Sequence, residues 1–231
     1  MTRFLALFLL AATTPVAAAG LPRNYSVTSF DRVRVEAPYA VTLTTGKAPS
    51  ARAEGQASAI DAIDLRVEGR TLIVRRRSGF GYEGSGSPVR IAVSTPDLKS
   101  ALLVGAGSLS IDRMSGLSID LAMQGSGTLS VGAVTADRVS ATAQGTGSLS
   151  LAGRTKSANY LTRGLASLAA GSLAADELIL ATDGAGAVRV AARDRATITA
   201  SGTVQVQVDG NPACIVKASG SVTVSGCRSV R

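Results

Sequence analysis

Apolar and polar residues alternate along most of this chain, and from Gly105 onward they do so in phrases that restart at a fixed interval. GAGSLSI at Gly105–Ile111 is followed by GSGTLSV at Gly125–Val131 and GTGSLSL at Gly145–Leu151. Aligned on the first glycine, the series continues through Gly164 and Gly184, with Ala200 and Ala218 in the same slot, at spacings of 20, 20, 19, 20, 16 and 18. Four residues after each slot stands an aliphatic: Leu109, Leu129, Leu149, Leu168, Val188, Val204 and Val222. A second column follows two residues later: Ile111, Val131, Leu151, Ala170, Val190, Val206 and Val224. Side chains two apart on a strand point the same way, so both columns face one side. Counted backward from the next slot, Met123, Ala143, Thr162, Thr182, Ile198 and Val216 form a third inward column. Leu121, Ala141, Tyr160, Leu180, Ala196 and Cys214 form a fourth.

Each repeat thus carries at least two strands, with no 3.6-residue pattern. The fold class expected is all-β: a single-domain parallel β-helix with coils of about 16–20 residues. Leucine-rich repeats share the period, but the asparagine column and helical segment they need are missing. Before Gly105 the alternation is less regular. Phe30, Val33 and Val35, then Val41 and Leu43, then Leu65, Val67 and Leu72–Val74 read as the first, divergent coils, separated by Pro38, Gly46, Pro49 and Gly69.

The recurring glycines raise a second reading, phosphate binding. A phosphate loop needs one glycine-rich turn leading from a strand into a helix, so that backbone N–H groups meet the anion. Here the turn recurs and runs into another strand each time, which makes the glycines corners where φ > 0 or close stacking excludes a Cβ. Gly79-Phe80-Gly81-Tyr82-Glu83-Gly84 fits G-x-G-x-x-G literally, yet Ser85-Gly86-Ser87-Pro88 and a strand-like Val89–Val93 follow it. No dinucleotide or other cofactor is expected.

The N-terminus changes the setting. Arg3, the apolar run Phe4–Ala12, Thr13-Thr14-Pro15 and the small residues Val16–Ala19 have the layout of a secretory signal peptide over residues 1–19. No later segment offers about twenty uncharged apolar residues, so no transmembrane segment is expected in the mature chain. The expectation is an exported protein, periplasmic or extracellular. Export also makes a disulfide between the only two cysteines, Cys214 and Cys227, the expected pairing, with buried free thiols as the alternative.

Composition then narrows the chemistry. The chain has no histidine, which removes Ser-His-Asp and Cys-His catalysis and the commonest zinc ligand. Aromatics are 3%, so small residues must fill the interior. The formal charge is +8, and loss of Arg3 with the leader leaves +7. That balance favours anionic neighbours: an anionic lipid headgroup, an acidic glycan or nucleic acid met outside the cell. The basic residues are scattered and lack interleaved aromatics, which speaks against specific nucleic-acid recognition.

The order Ser29-Phe30-Asp31-Arg32-Val33-Arg34-Val35, Ala37-Pro38-Tyr39-Ala40-Val41 and Gly69-Arg70-Thr71-Leu72-Ile73-Val74 resembles the opening of the bacterial family called putative auto-transporter adhesin, head GIN domain. Thr95-Pro96-Asp97-Leu98, the G-x-G-[ST] phrases, Val208-Asp209-Gly210-Asn211-Pro212 and Ser219-Gly220-Ser221 extend the resemblance over residues 26–226. It implies an exported right-handed β-helix of the cell envelope whose biochemical role is poorly defined, with no catalytic residues to carry over. The chain departs from the family pattern at Leu165-Ala166, and at Ala200 and Ala218, where the glycine of the slot is replaced.

Two surface features are candidate sites. Arg75 and Arg77, in the basic run Arg75-Arg76-Arg77, share a strand face and could contact phosphate or carboxylate groups. The plainer reading is a solvated strand end. The second feature is a lattice of outward hydroxyls at Ser108/Ser110, Thr128/Ser130 and Ser148/Ser150. It is continued by Ser167/Ala169, Ala187/Arg189, Thr203/Gln205 and Ser221/Thr223. Stacked rungs about 4.8 Å apart would make this a flat polar face for glycans or another envelope surface.

The function expected is therefore a non-catalytic, adhesin-like structural or binding module of the envelope, with an envelope glycan, an anionic lipid headgroup or another envelope protein as partner and with no metal. The alternative is a lyase or hydrolase acting on acidic polysaccharides. Asp97, Asp112, Asp120, Asp137, Asp183 and Asp194, which such chemistry would need in one place, occupy different slots.

Overall fold

The computed structural model describes residues 22–77, 79 and 89–228. The expected leader lies outside the described residues, as does the G-x-G-x-x-G stretch apart from Gly79. Thirteen strands join in one sheet that winds into a parallel β-solenoid of about six turns. The regular coils are β9 (Ser108–Gly125), β10 (Thr128–Gly145), β11 (Ser148–Gly164), β12 (Ser167–Asp209) and β13 (Ala213–Ser225), each in parallel register on the last. Leu109, Leu129, Leu149 and Leu168 stack directly, as do Leu121, Ala141, Tyr160 and Leu180. All of these are buried.

A fifth inward column, which alternation alone does not show, runs through Met114, Val134 and Leu173. Its side of the coil is short and turns only one or two residues per coil inward, Ala175 beside Leu173 among them, too few to make a period-two signal. Gly153 stands over Val134 in that column, at a register shift where the coil shortens by one residue.

The register of the later coils corrects the sequence alignment. The slot passes from Gly184 to Gly202 and Gly220, not to Ala200 and Ala218: Gly202 pairs with Gly220, Ala200 with Ala218, and a Cβ on Gly202 would overlap the Gly184 carbonyl oxygen. No corner glycine is missing there, and the coils hold a spacing of 18. A two-residue slip keeps side-chain parity on a strand, so Val204 and Val206 are buried in either alignment. The rungs nevertheless change partners.

The N-terminal part is not a run of successive coils. β2 (Arg32–Glu36) lies between β6 (Thr71–Arg76) and β8 (Ser100–Val104), parallel to both. Likewise β3 (Ala40–Thr45) lies between β7 (Arg90–Thr95) and β9. The earliest coil in sequence is thus the second in space. The motifs shared with the family meet where it is inserted. Arg70 Nη2 donates to Asp31 Oδ2 at 2.9 Å, Thr95 Oγ1 to the Phe30 carbonyl at 2.5 Å, and the Lys99 amide to the Asp31 carbonyl at 2.8 Å.

Antiparallel strands close this end. β1 (Arg23–Tyr25) pairs with β4 (Ser50–Glu54), which pairs with β7; β5 (Ile63–Glu68) pairs with β6. The β5–β6 connection is the two-residue turn Gly69-Arg70, both residues at positive φ (52° and 65°), the geometry of a type I′ hairpin. Leu65, Val67 and Leu72–Val74 therefore form a hairpin, not two coils. The short helix α1 (Ala57–Asp61) completes the cap, with Tyr25 Oη donating to the Ile60 carbonyl at 3.3 Å.

Candidate functional site: a neutral hydroxyl face

The hydroxyls foreseen as a lattice stand in register. Ser108, Thr128, Ser148 and Ser167 form one column of paired rungs, and Ser110, Ser130, Ser150 and Ala169 the other. Ser148 Oγ donates to Thr128 Oγ1 at 3.4 Å. Because β3 underlies β9, the columns extend to Ala40 and Thr42, a contribution hidden in sequence by the insertion of the β2–β3 coil.

At the other end the corrected register replaces Thr203/Gln205 and Ser221/Thr223 by Gln205/Gln207 and Thr223/Ser225, which pair across β12 and β13. There the face sinks into a hollow of about 580 Å³, floored by Ala169 and Ala187 and walled by Ser167, Arg189, Gln205 and Gln207. Arg189 Nε donates to Asp209 Oδ2 at 2.8 Å, and Gln207 Nε2 to Asp209 Oδ1 at 3.3 Å. The Asp209 hydrogen bond raises the Arg189 pKa above its usual range, so the guanidinium stays charged with the carboxylate as its counter-ion. From Ala40/Thr42 to Ser167/Ala169 the two columns carry no charged residue, with Arg90 and Arg189 in the rungs beyond each end, although the whole chain is strongly basic.

Arg75 and Arg77 lie elsewhere, on the β5–β6 hairpin. Arg75 sits opposite Asp64 and donates to its Oδ2 at 2.7 Å, while Arg66 holds the same oxygen at 3.0 Å. Arg77 follows the end of β6; its amide donates to the Ala62 carbonyl at 2.8 Å and its Nη2 approaches the Ile63 carbonyl at 3.5 Å. The Arg75 guanidinium thus already holds an internal carboxylate, and the two arginines do not join the hydroxyl face.

The carboxylates are also dispersed into separate local bonds. Asp112 Oδ1 accepts the Thr45 amide at 2.9 Å, Asp183 accepts Ser201 Oγ at 2.7 Å, and Asp137 pairs with Lys156 at 2.8 Å. With Asp176–Arg193 and Glu177–Arg195, the last pair forms a ladder of alternating sign along one corner. It borders a groove of about 310 Å³ beside the exposed Leu117. Among the described residues no three of His, Cys, Asp and Glu stand close enough to hold a metal ion, and no helix is long and apolar enough to cross a membrane. Cys214 and Cys227, at the last coil, are joined with their Cα atoms 5.6 Å apart.

The stacked-sheet fold is shared with known proteins. The model of the family "Putative auto-transporter adhesin, head GIN domain" matches residues 29–212, and the chain belongs to that family. A "putative adhesin" from Bacteroides fragilis NCTC 9343 has the same fold, with a TM-score of 0.78 at 18% identity over 88% of this chain and 94% of that one. A "putative lipid binding protein" from Parabacteroides distasonis ATCC 8503 superposes at 0.72, also at 18% identity, over 88% and 95% of the two chains. A "putative adhesin" from Parabacteroides merdae ATCC 43184 gives 0.68 at 14% identity, over 88% and 94%. No curated protein matches the sequence.

Proposed function

We propose that this protein is an exported, non-catalytic binding module of the bacterial envelope, and that its hydroxyl face binds a neutral or weakly charged glycan. The observation that carries the reading is the pair of uncharged, in-register columns from Thr42 through Ser150, ending in the hollow walled by Arg189, Gln205 and Gln207. Hydroxyls and amides at a fixed rung repeat offer both donors and acceptors to a polymer of hydroxyls. The rigid stack holds them in place before binding, which lowers the ordering cost. An extended β-linked glycan laid along the solenoid axis would meet one rung after another.

The name adhesin among the relatives agrees with a binding role. The name lipid-binding raises an anionic headgroup as a second ligand chemistry, but the one arginine beside the hollow is already matched by Asp209. Net charge therefore does not choose the ligand of this face. The test is co-sedimentation with purified peptidoglycan and with neutral β-linked polysaccharides, alongside vesicles of anionic lipid. Glycan binding should survive 0.5 M salt, where the Debye length falls to about 4 Å. It should fall at least about tenfold, or about 1.4 kcal/mol, in Thr128→Arg, whose side chain would project from the face, and be unchanged in Arg154→Ala. Binding to anionic vesicles alone, released by salt, would overturn the reading.

A further inference from the structure

The two ends of the stack are unlike. Antiparallel strands and α1 close the N-terminal end, whereas the last coil, β13, pairs with β12 on one edge and along most of its length carries nothing on the other. Among the described residues the tail covers one position: Arg228 bridges to Ala213, and the disulfide ties Cys227 to Cys214 beside it. Among the described residues no strand pairs with this edge from Cys214 to Ser225. Its inward residues are uncovered as well: Val216 is 42% exposed, and Val222 and Val224 are half-buried where every coil below hides its counterparts.

Edge strands are usually protected by charge, proline or a bulge. β13 contains no proline and one charge, Lys217. Ile215, on its outer face, is 55% exposed.

We propose that this edge is a dimer interface for a second copy of the chain. β13 turns a corner at Ser219-Gly220, where Gly220 takes φ 97°. The corner leaves two arms of equal length, Cys214–Ala218 and Gly220–Val224. A twofold axis through the corner, perpendicular to the solenoid axis, lays each arm antiparallel on the other arm of the partner copy. Ser219 then sits on the axis, and residues equally far from it pair.

In that register Val216 meets Val222 and Cys214 meets Val224 on the inward side, continuing the core from one molecule into the other. Outside, Ile215 meets Thr223 and Lys217 meets Ser221, so the single charge of each strand never faces its like. The position beyond Cys214, Ala213, is the one the tail already occupies. Because a twofold contact uses the same edge of both copies, it cannot propagate and gives a closed dimer, not a fibre.

Light scattering and sedimentation of the oxidised mature protein should give the dimer mass. Val216→Lys should give the monomer with an unchanged β-sheet spectrum, since that side chain reaches water in the single chain. Ser219→Cys should cross-link to itself on oxidation, and Ser148→Cys, on the hydroxyl face, should not. A monomer at all concentrations overturns the proposal. So do a dimer that persists in Val216→Lys, the absence of a Ser219→Cys cross-link, or open-ended polymers. The hydroxyl columns reach this edge at Thr223 and Ser225, but the glycan test is read at Thr128, several coils away, so the two proposals fail separately.

Discussion

At the residue scale the interior tolerates few polar groups, and those it holds differ in how well they are satisfied. Tyr160 is 1% exposed, stacked between Ala141 and Leu180, and its hydroxyl has no hydrogen-bond partner. An unpartnered buried hydroxyl costs about 1–3 kcal/mol, so Tyr160→Phe should raise the thermal midpoint. Burial pushes the Tyr160 phenol well above its usual range. A folded-state pKa above the unfolded value contributes stability that is complete below the unfolded value near 10 and is lost as pH rises beyond it. Alkaline melting curves should therefore fall less steeply for Tyr160→Phe; a parallel fall in the two proteins would mean that the phenol is not held neutral. Thr162 and Thr182 are the contrasting case, because Oγ1 of Thr162 donates to Oγ1 of Thr182 at 2.8 Å within the core. Either Thr→Val change alone leaves one hydroxyl without its partner, whereas the double change removes both groups together. The double variant should thus be more stable than the sum of the singles by about 1 kcal/mol, and strict additivity in denaturant melts would argue against the bond.

At the element scale the coil depends on parity for its core and on glycine for its corners. A Cβ on Gly145, at φ 112°, would overlap the Gly125 carbonyl oxygen of the coil below, whereas a Cβ on Gly46, at φ 76°, meets nothing within 4 Å. Gly46→Ala should cost about 1–2 kcal/mol of backbone strain alone. Gly145→Ala adds a backbone collision and should cost clearly more in a urea melt; equal costs would show that stacking does not select glycine. The same distinction explains what was legible in the sequence. The alternation marked Leu109, Leu129, Leu149 and their neighbours as inward because a period of two survives any even slip, and all of them are buried. It could not distinguish Ala200 from Gly202 as the next corner, since both lie on the same side of the strand count. It also missed the column of Met114, Val134 and Leu173, and the placement of β2 and β3 between strands from later in the chain. Those pairings join residues 68 positions apart, as in Arg32 with Ser100 and Ala40 with Ser108, and follow no local repeat. The hydroxyl columns at Ser108–Ser150 were visible for the reason the core was. Thr42, Gln207 and the hollow were not, because each depends on register.

At the scale of the whole molecule, a solenoid in which each coil touches only its neighbours is stable in proportion to what closes its ends. The N-terminal end has three antiparallel strands and a helix, whereas the C-terminal end has the tail, held by Cys214–Cys227 and the bridge from Arg228 to Ala213. The bond encloses a sequence separation of 13, and chain entropy for so short a loop gives about 3 kcal/mol. That contribution is local, because the coils beneath do not contain the cross-link. Reduction should therefore speed amide exchange in Ala213–Ser225 first, then in the upper part of β12, while the amides of β9 and β10 exchange at their former rates until global unfolding. The comparison is cleanest in Val216→Lys, where a second molecule should not shield the edge. Uniform acceleration through all coils would show that the stack opens as one unit and that the tail is not a local clasp. Two titratable thiols in unreduced protein taken from the periplasm would remove the clasp altogether, leaving β13 open along its whole length.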